Sequence, residues 1–289
     1  MKTGTITKII SNHYTIENEE ETIVAIPRGK MRKGAIPVVG DRVKYEKVQD
    51  SYRILEILPR KNRLLRPAIA NVDQALIVTS CKDPDFSIHL LDRLIFLVSL
   101  ADTESIICLT KWDLVNEEER KEIDKQLQAL ERCGYRVVKT YPGSDDKELK
   151  DVLANKESVL CGQSGAGKSS LLNRLDPTFQ LQTQEISKAL GRGKHTTRFC
   201  QLHKVGGGWV ADTPGFSSLD FTQMDISSLD KKIKAFQPYL GQCRFSDCAH
   251  VNEPDCAIKK AVEEGKIPQT LYEDYVTIRI GTSRKDNYK

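Results

Sequence analysis

The sixteen residues LCGQSGAGKSSLLNRL, from Leu160 to Leu175, limit the possible folds more than any other part of the chain. Within them Gly162, Gln163, Ser164, Gly165, Ala166, Gly167, Lys168 and Ser169 fit the phosphate-loop pattern G-x-x-x-x-G-K-[ST] without a mismatch. Such a loop needs a strand before it and an amphipathic helix after it. SVLC reads as the strand, and SSLLNRL reads as the helix, with Ser170 in its first turn. The glycines allow a tight turn whose N–H groups face phosphate oxygens, and the helix N-terminus adds favourable partial charge. Lys168 is expected to neutralise β/γ-phosphate charge and Ser169 to offer its hydroxyl to Mg²⁺.

A second motif stands in an unusual place. Thr110, Lys111, Trp112 and Asp113 follow the strand-like SIICLT and read as T-K-x-D. The aspartate can accept hydrogen bonds from the N1–H and N2–H₂ groups of guanine, a pair adenine lacks. In an ordinary guanine-nucleotide protein this loop follows the phosphate loop; here it comes about fifty residues earlier. On its own the tetrapeptide is a weak signal, because Asp113 or Asn116 could equally cap a helix. Two further matches strengthen it. Asp212-Thr213-Pro214-Gly215 follows the strand-like GWVA and fits D-x-x-G, with Asp212 directed at Mg²⁺ and the Gly215 N–H at the γ-phosphate. GRGKHTTR, Gly191 to Arg198, lies between the two phosphate-binding elements, where Thr196 or Thr197 could complete the Mg²⁺ shell.

The chain falls into three blocks: residues 1–66, 67–221 and 222–289. The first carries five short β-like runs (GTITKII, HYTIE, TIVAIP, VGDRVKYE and YRILEIL), separated by turn signals. Five strands in so few residues suit a small OB-type barrel, a fold that commonly binds RNA or single-stranded nucleic acid. This block holds fourteen Lys/Arg against eight Asp/Glu, whereas the whole chain has a net charge of only +4. Arg28, Lys30, Arg32 and Lys33 would lie in a loop between strands and could meet phosphates without reading sequence. A solvated basic face is the plainer reading of the same charges. PRKNRLLRP, Pro59 to Pro67, reads as a linker. Beyond it strands and helices alternate, as in an α/β domain with a largely parallel sheet. The last block has little strand pattern and reads as mainly helical.

That last block contains Cys243-x₄-Cys248-x-His250-x₅-Cys256. Three thiolates and one imidazole make a closed tetrahedral set suited to structural Zn²⁺, not to a catalytic metal. Cys81, Cys108, Cys133, Cys161 and Cys200 are scattered on apolar segments and suit packing. The longest apolar run, Leu94 to Ala101, is far short of the roughly 20 residues a bilayer span needs. With no signal-like apolar stretch near Met1, a cytoplasmic, reducing setting and no membrane partner are expected.

Taken together, T-K-x-D, then G-x-x-x-x-G-K-S, then G-K-H-T-T, then D-T-P-G resemble the order found in the RsgA-type circularly permuted GTPases. RPAIANVDQALIV and the Cys/His group resemble that family too, so the likeness covers essentially the whole chain. The resemblance implies a multidomain protein: an N-terminal OB barrel, a permuted P-loop GTPase domain and a C-terminal zinc module. It implies slow GTP hydrolysis stimulated by the 30S subunit during late maturation, and contact with 16S rRNA. GTP or GDP with Mg²⁺ and one Zn²⁺ would be bound, and the chain would act as a monomer. Where Ras-like proteins carry a water-orienting glutamine after D-x-x-G, this chain has Phe216; the resemblance points instead to His195. Thr110 departs from the more usual Asn, and no Ser-Ala guanine element is recognisable near VVKTYPGSDD. Two other functions fit parts of the sequence: an RNA-binding zinc protein with a vestigial nucleotide domain, and a P-loop small-molecule kinase. Intact Lys168, Ser169, Asp113 and Asp212 speak against the first. The second has no need of T-K-x-D, D-T-P-G and a barrel together.

Overall fold

A computed structural model describes residues 1–28, 36–65, 68–176, 200–212, 221 and 224–286. The chain forms two compact units, residues 1–74, 146–160 and 168–216 in one, residues 75–145, 161–167 and 217–289 in the other.

The first unit begins with β1 (Lys2–Ile10), β2 (His13–Glu17), β3 (Thr22–Pro27), β4 (Arg42–Val48) and β5 (Ser51–Ile57). They close into a barrel of order β1-β2-β3-β5-β4, with β1 pairing antiparallel to β4 and β3 parallel to β5. Period-two alternation dictates this. Along β2 the exposed His13 is followed by buried Tyr14, and Ile16 faces Ile6 and Ile23 across the sheet. Ile6, Ile16, Val43, Ile54 and Tyr45 are fully enclosed and fill the barrel. Burying such side chains stabilises by roughly 1.5–3 kcal/mol each. The five strand-like runs of the sequence are all present.

The segment read as a linker is more ordered than its prolines and charges suggest. Arg63–Leu65 (β6) pairs antiparallel with Ala68–Ala70 (β7), and Leu64 and Ile69 are buried. Asn62 and Asn71 hold its base, Asn62 through the carbonyl and N–H of Val72 and Asn71 through the Gly40 carbonyl. Arg60 makes a two-pronged bond to the buried Asp41, at 2.6 and 2.7 Å. Packing against the barrel, not local propensity, makes this hairpin. The unit also contains α3 (Lys147–Leu153), β11 (Glu157–Cys161), α4 (Lys168–Leu175), β12 (Leu202–Val205) and β13 (Gly208–Asp212). β11 and β13 run parallel, and β12 closes antiparallel on β13 through the Gly206-Gly207 turn.

The second unit holds β8 (Gln74–Ser80), α1 (Ile88–Leu100), β9 (Glu104–Thr110), α2 (Glu117–Arg132) and β10 (Arg136–Lys139), in sheet order β10-β9-β8. Every residue of β8 is buried, as expected of a strand covered on both faces. Its C-terminal part consists of α5 (Leu229–Lys232), α6 (Ala257–Glu263) and α7 (Gln269–Asp286). Phe236 meets Tyr275 edge-on at 5.1 Å, and α7 packs along α1. Among the described residues no helix is long and apolar enough to cross a membrane.

Candidate functional site

Each described nucleotide motif follows the carboxyl end of a strand: β9 leads into Thr110–Asp113, β11 into Gly162–Gly167, and β13 ends at Asp212. In open α/β sheets this is the end at which ligands bind. β11 and β13 are parallel neighbours, with Leu160 opposite Asp212.

Gly162 opens the loop at φ +135°. A Cβ there would lie 2.0 Å from the Val78 carbonyl oxygen of β8, so only glycine lets the chain pass. Gly165 and Gly167 also take positive φ, +80° and +90°.

The two loops that are far apart in sequence are joined by Thr110. Its hydroxyl lies 2.7 Å from the Ala166 carbonyl and 3.3 Å from that of Thr79. A hydroxyl has one proton to donate, and the shorter contact takes it. Thr110 thereby fastens the T-K-x-D loop to the phosphate loop from a buried position. Lys111 adopts a left-handed conformation, φ +58°, and its Nζ donates to the Asp83 carbonyl. The same segment backs the phosphate loop, since a Cβ on Gly165 would meet Pro84 Cδ at 3.4 Å. Trp112 is half-buried between cations, with Lys139 Nζ 4.5 Å and the Arg120 guanidinium 5.6 Å from its ring. Asp113 is exposed.

The competing helix-cap reading is resolved by Asn116. Its side chain accepts from the N–H groups of Glu118 and Glu119, and Glu119 reaches back to the Asn116 N–H, a complete capping box for α2. Asp113 is left out of the cap. After β10, Thr140 is buried and donates its N–H to Leu109, and a turn follows from Tyr141 to Ser144. This turn has no Ser-Ala pair, and the sequence offered no signal for it.

His195, Thr196, Thr197 and Gly215 lie outside the described residues, as do Lys30, Arg32 and Lys33. Arg28 is exposed just past β3.

The Cys/His group converges. The ligand atoms of Cys243, Cys248, His250 and Cys256 all lie within 4.8 Å of one another. Cys243 Sγ is 3.8 Å from Cys256 Sγ, and His250 Nδ1 is 3.5 and 3.4 Å from those two sulfurs. A tetrahedral Zn²⁺ with arms of about 2.3 Å to sulfur and about 2.1 Å to nitrogen needs S···S edges near 3.8 Å and S···N edges near 3.6 Å. The donor set fits. Burial raises the Cys248 and Cys256 thiols, an effect that a coordinated cation reverses. The loop is preformed: Glu253 accepts the N–H groups of Ala249, Val251 and Asn252 at 2.9–3.1 Å. Tyr272 and Tyr275 donate to the carbonyls of His250 and Ala249.

Behind the imidazole sits a residue that sequence reasoning missed. Asp230 Oδ2 lies 3.8 Å from His250 Nε2, and both groups are buried. With Nδ1 turned to the sulfurs, Nε2–H faces this carboxylate, the usual second partner of a metal-binding histidine. Asp230 stands twenty residues before His250 with no local pattern to mark it.

Comparison with known proteins points the same way. A family model described as RsgA GTPase matches residues 57–222, and one described as RsgA N-terminal domain matches residues 3–53. Small ribosomal subunit biogenesis GTPase RsgA 2 of Oceanobacillus iheyensis is 44% identical over 280 residues, covering 96% of each chain. Small ribosomal subunit biogenesis GTPase RsgA of Enterococcus faecalis is 43% identical over 276 residues, 94% of this chain and 93% of that one. Among solved structures, the circularly permuted GTPase YloQ superposes with a TM-score of 0.83 at 37% identity, covering 99% of this chain and 96% of that one. YjeQ from Thermotoga maritima gives 0.83 at 36%, covering 97% and 98%.

Proposed function

We propose, because this chain belongs to the RsgA family of GTPases, that it hydrolyses GTP on the small ribosomal subunit during that subunit's biogenesis. The observation that carries the reading is the Thr110–Ala166 bond. It supports a single guanine-nucleotide site made from motifs whose sequence order is inverted. In this site Gly162, Gln163, Ser164, Gly165, Ala166, Gly167 and Ser170 surround the phosphates, with Lys168 as the cationic partner. Asp113 reads the guanine edge, the Lys111 stem lies along the base, Trp112 stiffens the loop, and Gly215 meets the γ-phosphate. Ser169, Asp212 and one of Thr196 and Thr197 would hold Mg²⁺, which supplies charge neutralisation at the phosphates. His195 positions the attacking water by accepting a hydrogen bond from it. Cys243, Cys248, His250 and Cys256 hold one structural Zn²⁺. Domain limits at 1–66, 67–221 and 222–289 go with this reading, as does a monomer in the cytoplasm.

Specificity is tested at Asp113. Asp113→Asn should weaken GTP binding by roughly 10- to 100-fold, the cost of losing a charge-assisted hydrogen-bond pair, and shift preference toward xanthosine nucleotides. Equal affinity of the parent chain for ATP and GTP would sink the assignment.

Ribosome recognition is tested by salt. The relatives are named for small-subunit biogenesis, and the basic excess of residues 1–66 supports 16S rRNA as the contact. Replacing Arg28, Lys30, Arg32 and Lys33 with alanine should flatten the log–log salt dependence of 30S binding, by about one unit for each phosphate no longer neutralised. Stimulation by 30S at fixed concentration should fall while intrinsic hydrolysis holds. Identical salt slopes for the two proteins would reduce this loop to a solvated face.

A further inference from the structure

The stretch from Cys81 to Phe86 joins β8 to α1 and belongs to no nucleotide motif, yet the base-reading loop and the phosphate loop both rest on it. The Cys81 N–H donates to the Thr110 carbonyl at 3.1 Å. The Asp83 carbonyl accepts the Lys111 ammonium. Gly165 lies so close over Pro84 that an added Cβ would be in contact with its ring.

One buried side chain holds this turn from beneath. Ser80, the last residue of β8, is fully enclosed, and its hydroxyl donates to the Pro84 carbonyl at 2.6 Å. The Phe86 N–H closes the turn on the Cys81 carbonyl at 3.3 Å. Asp83 and Lys111, the two residues joined by the ammonium–carbonyl bond, both have left-handed backbones, at φ +47° and +58°. Neither is glycine, so each conformation is costly and persists because its surroundings hold it.

A lysine that is free at its end samples many rotamers, and ordering it on binding lowers affinity by about 3- to 10-fold. With Nζ already held, the Lys111 stem is set before a nucleotide arrives. The turn also touches the phosphate loop at Gly165, so the place of the stem is fixed relative to the phosphates as well. We propose that Ser80 is a positioning residue of the nucleotide site: it pins the Asp83–Pro84 turn, and the turn aims the Lys111 stem along the guanine. The inference rests on the placement of the guanine against Lys111 and Asp113. Without the hydroxyl, the Pro84 carbonyl loses its partner, the turn relaxes, and the ammonium loses a fixed acceptor.

The test is a double-mutant cycle on the full chain: the parent, Ser80→Ala, Lys111→Ala and the two together, each titrated with GDP and Mg²⁺ by calorimetry, with thermal melts alongside. Ser80→Ala should weaken GDP binding about 3- to 10-fold in the parent and add nothing in the Lys111→Ala background, because the ordering lost is that of Lys111. In the nucleotide-free chain, the Lys111 side-chain NMR signals should move toward those of an exposed lysine when Ser80 is replaced. A general loosening of the fold would lower affinity by the same factor in both backgrounds, and that result overturns the proposal. So does parental GDP affinity in Ser80→Ala. If Ser80→Ala does not fold, Pro84→Gly frees the same turn from its half-buried side and should show the same dependence on Lys111. Parental GDP affinity in Lys111→Ala would remove the placement of the guanine itself, and the role of Ser80 with it.

Discussion

A chain carrying Gly162→Ala loses at least about 100-fold in GTP affinity and melts well below the parent. The added methyl meets the Val78 carbonyl oxygen at 2.0 Å and the Val78 carbonyl carbon at 3.0 Å. Neither can yield cheaply, because β8 is buried along its whole length. The residue would also have to hold φ +135°, which side-chain-bearing residues rarely adopt. The loop must therefore move, and its N–H groups lose their common focus. Titration with a fluorescent GTP analogue and a thermal melt give the two readouts. Gly143→Ala is the control: that glycine also has a positive φ but nothing within 4 Å of a Cβ. It should show a modest stability loss and near-parental GTP affinity. If the Gly162 variant binds GTP like the parent, the phosphate-loop assignment fails.

Stripping the metal should have the second large effect. The protein purified without chelators is expected to carry one Zn²⁺ per chain, and removing it should unfold the segment from Cys243 to Cys256. Structural zinc contributes on the order of 10 kcal/mol in small modules, because site formation and local folding are one event. Here two strained backbone positions, His250 at φ +60° and Asp255 at φ +52°, have to be held within that loop. The effect should reach α7, which is tied to the loop by two hydrogen bonds through Tyr272 and Tyr275. Elemental analysis and amide hydrogen exchange before and after chelation read this directly. Cys243→Ser should mimic it, since a hydroxyl is a poor substitute for thiolate. Acid should release the metal, because protons compete for the thiolates as pH falls. A chain with no stoichiometric zinc and unchanged exchange in α7 would contradict the site.

The strands, the helices and the motif order follow from sequence because they are local properties. Alternation in HYTIE, the unbroken apolar run of QALIVTS and the strand–glycine–helix grammar around Lys168 each need only a few neighbouring residues to be recognised. The Cys/His set was legible for the same reason, with all its ligands inside fourteen residues. Tertiary structure decided what depends on contact between distant segments. No pattern in the sequence signals that Thr110 donates to Ala166 or that Asp230 stands behind His250. The proline-bearing stretch from Pro59 became a hairpin because the barrel surface buries Leu64 and Ile69, a gain invisible to local propensity. Tyr135 reads in the sequence as one more aromatic before a strand. Only packing encloses it at 4% exposure, because burial is set by which surfaces meet.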